Sequence, residues 1–361
     1  MTAFTPAPRL AEVSAYRPPR RPAPGDLDLA VTCTLRAGEE MPAAGPDGAA
    51  ATAYPDQRVL AGRIAGRFGL SDAHVLVTAG ADDALDRCCR AALCPGRNAL
   101  LTDPTFEMLP RFVRVSGAEP RPVAWENPEF PLADVIARAD ADTALVAIVS
   151  PNNPTGAVAG ADTIRRLHEA LPAALILADL AYVEFADRDP TRELLELPRV
   201  VVARTLSKAW GLPGLRVGCA LGAPEVLDLL RRAGGPYPVS GPSLAAAARA
   251  LESGERAMRQ AVDGIRERRE RLATLLRGLG LDVPPSQASF VCVRHRRAPW
   301  LHDALAGLGI ATRLLGADGT ARLRLAVPAD DGALARLEAA LLRAGAARVR
   351  ANPSEVASCL P

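Results

Sequence analysis

Short apolar runs bounded by turn-forming residues recur through the first two-thirds of the chain. Helical stretches separate most of these runs, and Asp82–Leu93 and Asp162–Leu171 are two examples. The predicted strands are Val75–Thr78, Ala99–Thr102, Leu145–Ser150, Leu175–Ala178, Val200–Arg204 and Val217–Leu221. Runs that are apolar on both faces and alternate with helices predict an α/β fold, with a mostly parallel sheet flanked by helices on both sides.

From about Gly254 the pattern changes to that of a second, smaller α+β unit. The predicted elements are a long charged helix over Glu255–Leu279, strand-like Phe290–Val293, a helix over Trp300–Leu308, strand-like Ala321–Val327 and a last helix ending near Ala344. The dense Arg and Glu residues of Arg266–Arg271 predict a solvated helix face. A chain of 361 residues also exceeds the usual size of one domain, which favours two units.

Charge and cysteine usage narrow the classes of partner. The 43 basic and 41 acidic residues leave a net charge of +2, so we expect neither nucleic acid nor a membrane as a partner, but a small molecule. No apolar run is long enough to span a bilayer, and Met1–Leu10 lacks the pattern of a signal peptide. The 7 cysteines form no CxxC pair, which indicates reduced thiols and a cytoplasmic location, and we expect no metal site.

One residue type is nearly absent from the chain. Among 43 basic residues only Lys208 is a lysine. Chance in an arginine-rich composition is one explanation. The other is chemical necessity, because an ε-ammonium can lose its proton and attack a carbonyl to form a Schiff base, whereas a guanidinium stays protonated.

Polar residues follow the predicted strands at the edge of the sheet where ligands bind. Asn153 lies in a Pro- and Gly-rich turn after one strand, and Asp179 and Tyr182 follow the next. Thr205, Ser207, Lys208 and Arg216 come after a third, a set of groups that suits a phosphate ester and an aldehyde on one molecule. A plain turn and a surface aspartate are the alternatives for the first two segments.

The ordered motifs resemble those of a known family. Ser150-Pro-Asn-Asn-Pro-Thr-Gly156, Asp179-Leu-Ala-Tyr182 and Thr205-Leu-Ser-Lys208, with Arg216 eight residues later, are similar to fold-type I aminotransferases that depend on pyridoxal 5'-phosphate (PLP), in particular to the histidinol-phosphate aminotransferase branch. The resemblance spans nearly the whole chain. It implies a large PLP-binding domain over residues 30–253 and a small domain made of residues 1–29 and 254–361.

The resemblance also implies a role for each matching residue. Lys208 would bind PLP as a Schiff base and then move the Cα proton. Asp179 would keep the pyridine nitrogen protonated, so that the ring is an electron sink. Asn153 and Tyr182 would bind the phenolate oxygen, and Phe106 would stack on the ring.

The same resemblance implies which residues would bind the phosphate and the substrate. Thr205, Ser207, Arg216 and the backbone amides of Ala81 and Asp82 would hold the phosphate at a helix N-terminus. The Asp82 side chain could equally complement the helix dipole. Tyr54 would reach the phosphate of the partner subunit, which implies a homodimer, while Arg324 and Tyr16 would face the substrate.

The resemblance weakens on the substrate side. Ala30–Arg36 lacks the polar residues usual there, and Leu180, Phe106 and Ser289 replace the family's Glu, Tyr and Asn. We therefore expect an aminotransferase acting on an amino acid and a keto acid or a phosphorylated carbonyl compound. The alternatives are a threonine-phosphate type decarboxylase or other Cα or Cβ chemistry in specialised metabolism, and a non-catalytic PLP-sensing regulator.

Overall fold

The computed structural model describes residues 27–28, 55–126, 128–316 and 321–350. The predicted substrate and cofactor residues Tyr16 and Tyr54 lie outside these ranges, as does the Ala30–Arg36 segment. The strands are β1 (Leu27–Asp28), β2 (Val75–Thr78), β3 (Asn98–Asp103), β4 (Glu119–Ala124), β5 (Thr143–Val149), β6 (Leu175–Asp179), β7 (Val200–Thr205), β8 (Gly218–Leu221), β9 (Phe290–Arg294), β10 (Ile310–Ala311), β11 (Arg313–Leu315) and β12 (Arg322–Ala326).

Helices separate most of the strands, as the alternation of the sequence predicts. They are α1 (Arg58–Phe68), α2 (Gly80–Ala92), α3 (Met108–Val115), α4 (Leu132–Arg138), α5 (Ala161–Ala170), α6 (Thr191–Leu194), α7 (Pro224–Arg232), α8 (Gly241–Ser253), α9 (Glu255–Gly278), α10 (Ala298–Ala306) and α11 (Asp331–Arg350). None of the helices within the described ranges is long and apolar enough to cross a membrane.

Seven strands form one large sheet in the order β2-β8-β7-β6-β5-β3-β4. The neighbours from β7 to β4 run parallel, whereas β8 is antiparallel to both β7 and β2. The prediction of a mostly parallel sheet is confirmed. Because β2 and β7 are both antiparallel to β8, the carboxyl ends of β2, β5, β6 and β7 all lie at the same edge of the sheet.

The apolar runs are continuous because both faces of this sheet are covered. In β5, Leu145, Ala147 and Val149 belong to one buried cluster, and Val146 and Ile148 belong to the cluster on the other face. Successive side chains of a strand point to opposite faces, so a strand buried on both sides carries no polar alternation.

Helix α2 shows how the sequence fixes a helix that begins at the edge of the sheet. Its buried side chains recur three and four residues apart and form one apolar stripe against the sheet. Those side chains are Ala81, Ala84, Leu85, Cys88 and Cys89. Asp82 and Asp83 occupy the first turn, where negative charge complements the helix dipole.

A smaller antiparallel sheet, β11-β12-β9, lies beyond α9 with its own buried cluster. The pair β1 and β10 is parallel and forms a separate two-stranded sheet. Strands β1, β4, β10 and β11 are missing from the sequence prediction. Strand β4 carries two prolines and few buried residues, and β11 has only 3 residues, so neither shows a strand periodicity.

Two sequence expectations need correction. Within Arg266–Arg271 the helix face is not uniformly solvated, because Arg269 is only 6% exposed and donates to the carbonyl oxygens of Phe185 and Ala288. The last helix continues past Ala344 to Arg350. A count of charged residues cannot distinguish a solvated face from one that caps the carbonyl groups of a neighbouring loop.

Candidate active site

A cavity of about 210 Å³ opens at the carboxyl edge of the large sheet. Its walls comprise Ala81, Asp82, Phe106, Val149, Asn153, Asp179, Ala181, Tyr182, Thr205, Ser207, Lys208 and Arg216. All ten of the predicted cofactor residues that the structure describes are therefore brought together around one space. Most of them come from the carboxyl ends of β5, β6 and β7 and from the first turn of α2, the position at which open parallel sheets bind ligands. Phe106 follows β3, and Arg216 comes just before β8.

One end of the cavity is built to accept an anion. The amide of Ser207 donates to Oγ1 of Thr205 at 3.1 Å, and Oγ1 of Thr205 lies 3.0 Å from Oγ of Ser207. Nη1 of Arg216 lies 3.5 Å from Oγ of Ser207. The first turn of α2 adds backbone amides, because the residue before the helix provides no side-chain cap. Hydroxyls, a guanidinium and helix amides together suit a phosphate group.

Two glycines allow this end to close. Gly80 has φ +76°, and a Cβ atom there would lie 2.7 Å from Nη2 of Arg216. A Cβ atom on Gly218 would lie 2.5 Å from the carbonyl carbon of Gly80 and 2.8 Å from the amide of Ala81. Side chains at these positions would separate β8 from α2, so the absence of Cβ atoms shapes the anion site.

Arg216 itself adopts an unusual backbone conformation. Its φ is +52°, in the left-handed region that residues other than glycine seldom occupy. Nη2 of Arg216 lies 3.3 Å from Oδ2 of Asp82, and both side chains of this ion pair are about half exposed. An uncommon conformation at a cavity wall is a feature that functional sites often show.

Asp179 also lines the cavity and is only 4% exposed. Its Oδ1 accepts a hydrogen bond from the amide of Ala181 at 3.1 Å. Burial raises the pKa of the Asp179 carboxyl to about 7, although the Ala181 hydrogen bond and Lys208 act in the opposite direction. A ligand with a protonated ring nitrogen would supply the positive charge that a buried carboxylate needs.

Lys208 and Tyr182 lie close together in the wall of the same cavity. Nζ of Lys208 is 5.3 Å from the centroid of the Tyr182 ring. Tyr182 is 4% exposed, and its ring packs edge-on against Phe290 with the centroids 5.1 Å apart. Phe290 belongs to β9 of the smaller sheet, so that sheet helps to position Tyr182, which follows β6 of the large sheet.

Arg324 on β12 connects the smaller sheet to the cavity. Its Nη1 donates to Oδ1 of Asn153 at 2.7 Å. The residue is 9% exposed, and burial lowers the pKa of its guanidinium. Since a buried guanidinium remains charged in proteins, an anionic group bound beside it would be strongly stabilised.

The two arginines nearest to Arg324 in sequence each have a carboxylate partner. Nη2 of Arg313 lies 2.8 Å from Oε1 of Glu107, and Nη2 of Arg322 lies 2.5 Å from Oε1 of Glu126. The sequence motifs identify neither glutamate. Because each pair joins residues about two hundred positions apart in the chain, no local pattern could reveal it.

The arrangement fits one class of ligand. A phosphate would occupy the end with Thr205, Ser207 and Arg216, and a ring nitrogen would meet Asp179. An aldehyde between them would lie near Lys208, the amine that can attack it. Val149 and Ala181 also line the cavity, and their positions next to the predicted Ser150 turn and Asp179 are the only sequence signal for them.

Comparisons with known proteins agree with this chemistry. The sequence pattern of the family described as aminotransferase class I and II matches residues 27–338. An aromatic amino acid aminotransferase of Mycobacteroides abscessus is 34% identical over 344 residues, covering 92% of this chain and 98% of that protein. A histidinol-phosphate aminotransferase 2 of Methylococcus capsulatus is 37% identical over 277 residues, covering 73% and 74%. The solved structure of histidinol-phosphate aminotransferase from Sinorhizobium meliloti, in complex with pyridoxal-5'-phosphate, has a TM-score of 0.85 at 24% identity and covers 96% of this chain and 98% of that one.

Proposed function

The chain belongs to the class I and II aminotransferases, and on that basis we propose that one of its amino-group donors is an aromatic amino acid. It is a PLP-dependent enzyme that transfers an amino group. The family supports transamination over the decarboxylase alternative. The buried position of Arg324 beside Asn153, where a substrate carboxylate would meet a guanidinium, carries the proposal that the substrate is an amino acid. The proposal that its side chain is aromatic rests on the Mycobacteroides abscessus relative.

The residues around the cavity fit PLP, and we propose a role for each. Thr205, Ser207, Arg216 and the first amides of α2 would hold the phosphate, and Phe106 would lie against the ring. When bound, PLP supplies an electron sink that stabilises negative charge at the substrate Cα atom. The close approach of Gly218 to Gly80 and Ala81 would fix the start of α2 against the phosphate.

Asp179 would hold a proton at the ring nitrogen. Its raised pKa reflects a carboxylate whose charged form is destabilised by burial. A pyridinium nitrogen would compensate that burial, and the carboxylate would in turn favour the protonated ring. Asn153 and Tyr182 would hydrogen-bond the ring oxygen and so orient the ring.

Lys208 would move the proton at the substrate Cα atom. An amine in the cavity wall next to the Tyr182 ring can act as a general base once its covalent link is released. Arginine could not replace it, because a guanidinium does not lose its proton. This role gives a chemical reason for the one lysine among the 43 basic residues.

The substrate carboxylate would bind Arg324. Arg313 and Arg322 are already paired with Glu107 and Glu126, so they offer less attraction to a second anionic group on an amino acid substrate, such as the phosphate of threonine phosphate. A neutral side chain is therefore favoured over a phosphorylated one. The relative that matches this chain over 98% of its own length is named as an aromatic amino acid aminotransferase, which agrees with that preference.

Histidinol phosphate is the second candidate substrate. The Methylococcus capsulatus relative of that name is 37% identical over its matched region, and three arginines lie close together on β11 and β12. Histidinol phosphate has no carboxylate, so its phosphate would be the anionic group that binds Arg324.

The experiment offers the purified enzyme phenylalanine, tyrosine, tryptophan, histidinol phosphate and threonine phosphate separately, each with 2-oxoglutarate, and measures glutamate and released carbon dioxide. We expect glutamate with the aromatic amino acids and none from Lys208→Ala. Glutamate only with histidinol phosphate would replace the substrate proposal. Carbon dioxide without glutamate would contradict transamination.

We also propose the subunit organisation that the resemblance implies. The large domain would span residues 30–253, and residues 1–29 with 254–361 would form the small domain, a division that the separate buried clusters of the two sheets support. A homodimer would bring Tyr54 to the phosphate site of the partner subunit. A cytoplasmic location is supported by Cys88, Cys89, Cys94, Cys219 and Cys292, which are all free thiols.

A further inference from the structure

A buried cluster of charged side chains lies behind the candidate active site. Nη2 of Arg204 donates to Oε1 of Glu184 at 2.8 Å, and Nη1 donates to Oδ2 of Asp189 at 2.8 Å and to Oγ1 of Thr191 at 2.7 Å. The Arg204 and Glu184 side chains are only 11% and 12% exposed. The cluster borders a second cavity of about 370 Å³, and Thr205 lines both this cavity and the candidate active site.

The ion pair joins the two chain segments that present the central residues of the site. Arg204 is the residue before Thr205 on β7, four positions before Lys208. Glu184 lies in the single 3₁₀ turn Val183–Phe185, which begins directly after Tyr182. The backbone ladder between β6 and β7 extends as far as the hydrogen bond from the amide of Leu180 to the carbonyl of Ala203. Beyond that point, the Arg204–Glu184 pair links the segments through side chains.

Two further arginines hold the same turn from α9. Nε of Arg266 and Nη1 of Arg269 donate to the carbonyl oxygen of Phe185 at 3.1 and 3.3 Å. Nη1 of Arg269 also donates to the carbonyl of Ala288 at 3.1 Å, close to Phe290, which packs on Tyr182. The turn after Tyr182 is thus fixed on one side by Arg204 and on the other by α9.

We propose that the Arg204–Glu184 ion pair is a positioning element that sets Tyr182 relative to Lys208. This inference rests on the proposed roles of those two residues. Neither Arg204 nor Glu184 lines the cavity of the candidate active site, and their hydrogen bonds to each other and to Asp189 and Thr191 include no residue that lines it. We therefore assign them no contact with the substrate or the cofactor. They act through the 5.3 Å separation between Nζ of Lys208 and the Tyr182 ring, which depends on the two segments that they join.

A buried ion pair suits this task better than an apolar contact does. Apolar packing is not directional, whereas charge-assisted hydrogen bonds hold only within a narrow range of distances and angles. Arg204 reaches its partners through two different nitrogens, so its guanidinium plane is fixed. Oε2 of Glu184 has no hydrogen-bond partner among the described residues, so the link to Arg204 depends on Oε1 alone.

The test compares Glu184→Ala and Glu184→Gln with a control pair nearby. Glutamine retains an oxygen that can accept a hydrogen bond from Arg204 but carries no charge. Glu184→Gln is therefore the milder change, and it keeps the test usable if Glu184→Ala does not fold. Glu193→Ala breaks the ion pair with Arg188, whose side chain is 79% exposed, and serves as the matched control. Each protein is assayed for kcat per bound cofactor, for KM and for thermal unfolding.

A readout without cofactor separates positioning from stability. Because Lys208 is the one lysine of the chain, an amine-reactive reagent reports its environment once the N-terminal amine is resolved by mass spectrometry. We measure the labelling rate of Lys208 in cofactor-free protein against pH. A changed rate profile in Glu184→Ala, at a temperature where the protein is folded, indicates a displaced amine.

We expect kcat per bound cofactor to fall about 10- to 100-fold in Glu184→Ala and less in Glu184→Gln, with a smaller change in KM, since small misplacements of reacting groups have effects of this size. Glu193→Ala should match the wild type. The inference is overturned if Glu184→Ala unfolds at a lower temperature but retains wild-type kcat per bound cofactor and wild-type labelling of Lys208. If the wild-type enzyme itself transfers no amino group, the proposed function fails instead, and the inference with it.

Discussion

Two buried charged side chains belong to the candidate active site, because Asp179 lines its cavity and Arg324 bonds Asn153 in the cavity wall. The physical cost of burying them indicates what they bind. Asp179 is 4% exposed and Arg324 is 9% exposed. The pKa of Asp179 is raised and that of Arg324 is lowered, in both cases mainly by burial. Each shift disfavours the charged form, so each group gains stability when a ligand of opposite charge binds.

The first prediction concerns Asp179 in cofactor-free protein. Its pKa is about 7, against an ordinary value of 3.8. Between these pH values the folded protein retains a proton that the unfolded chain has lost, so the free energy of unfolding falls as pH rises through this window. Asp179→Asn should remove that decrease, which amounts to about 4 kcal/mol at most.

Urea unfolding from about pH 4 to pH 8 measures this difference. Asp187→Asn, with a side chain that is 75% exposed in the wild type, provides the control. Parallel curves for the wild type and Asp179→Asn would show that the carboxyl does not titrate in this window.

The second prediction concerns Arg324 and the substrate carboxylate. Arg324→Lys keeps a positive charge but loses the planar fork that can bind a carboxylate through two hydrogen bonds. We expect KM for the amino acid to rise about 10- to 100-fold. Steady-state kinetics with the preferred amino acid provide the measurement.

Arg322→Lys is the matched control for that change, because Arg322 lies two residues away on β12 and pairs with Glu126. Its KM should stay near the wild-type value. Equal effects of the two substitutions would assign the carboxylate to a shared arginine cluster rather than to Arg324.

At the level of elements, the phosphate end depends on how closely β8 approaches the first turn of α2. Gly218 belongs to β8, and a Cβ atom there would meet backbone atoms of Gly80, Ala81 and Arg204 between 2.5 and 2.8 Å. Backbone atoms cannot rotate away as a flexible side chain can. The helix start must therefore shift if this position carries any side chain.

The third prediction follows from that contact. Gly218→Ala should weaken PLP binding at least about tenfold and lower the free energy of unfolding by about 1–3 kcal/mol. Fluorescence titration of cofactor-free protein with PLP and urea unfolding measure the two effects. Gly214→Ala is the control, because a Cβ atom there meets nothing within 4 Å. Unchanged PLP affinity in Gly218→Ala would show that the position of the start of α2 does not determine phosphate binding.

Across the molecule as a whole, the two sheets meet at the candidate active site. Arg324 on β12 bonds Asn153 across 171 positions of the chain, and Phe290 on β9 packs on Tyr182. Glu107 and Glu126 on the side of the large sheet pair with arginines of the smaller sheet. A substrate bound at Arg324 would therefore be held between both parts of the molecule.

The fourth prediction tests the proposed homodimer with shared sites. Lys208→Ala removes the covalent link to PLP, and Tyr54→Phe removes a hydroxyl proposed to reach the phosphate of the partner subunit. Mixed and refolded together, the two variants should form hybrid dimers with one intact site and regain activity above that of either parent. Activity equal to the average of the parents would indicate that Tyr54 acts within its own subunit.

The strands buried on both faces, and the residues that come after them, can be predicted from the sequence alone. Val75–Thr78 is predicted with the bounds that the structure has, and Lys208, Asp179 and Asn153 all lie at the expected edge. These features are local, because an apolar run reports burial on both faces and the order of the chain fixes which residues succeed each strand.

Which distant groups meet depends on the tertiary structure. Periodicity does not report strand direction, so the antiparallel course of β8 is not visible in its apolar residues. Nor can it show that Arg269 is buried against carbonyl groups, or that Arg204 joins Glu184 behind Tyr182. A side chain's burial and charge partner depend on residues far away in sequence, and folding alone brings those residues together.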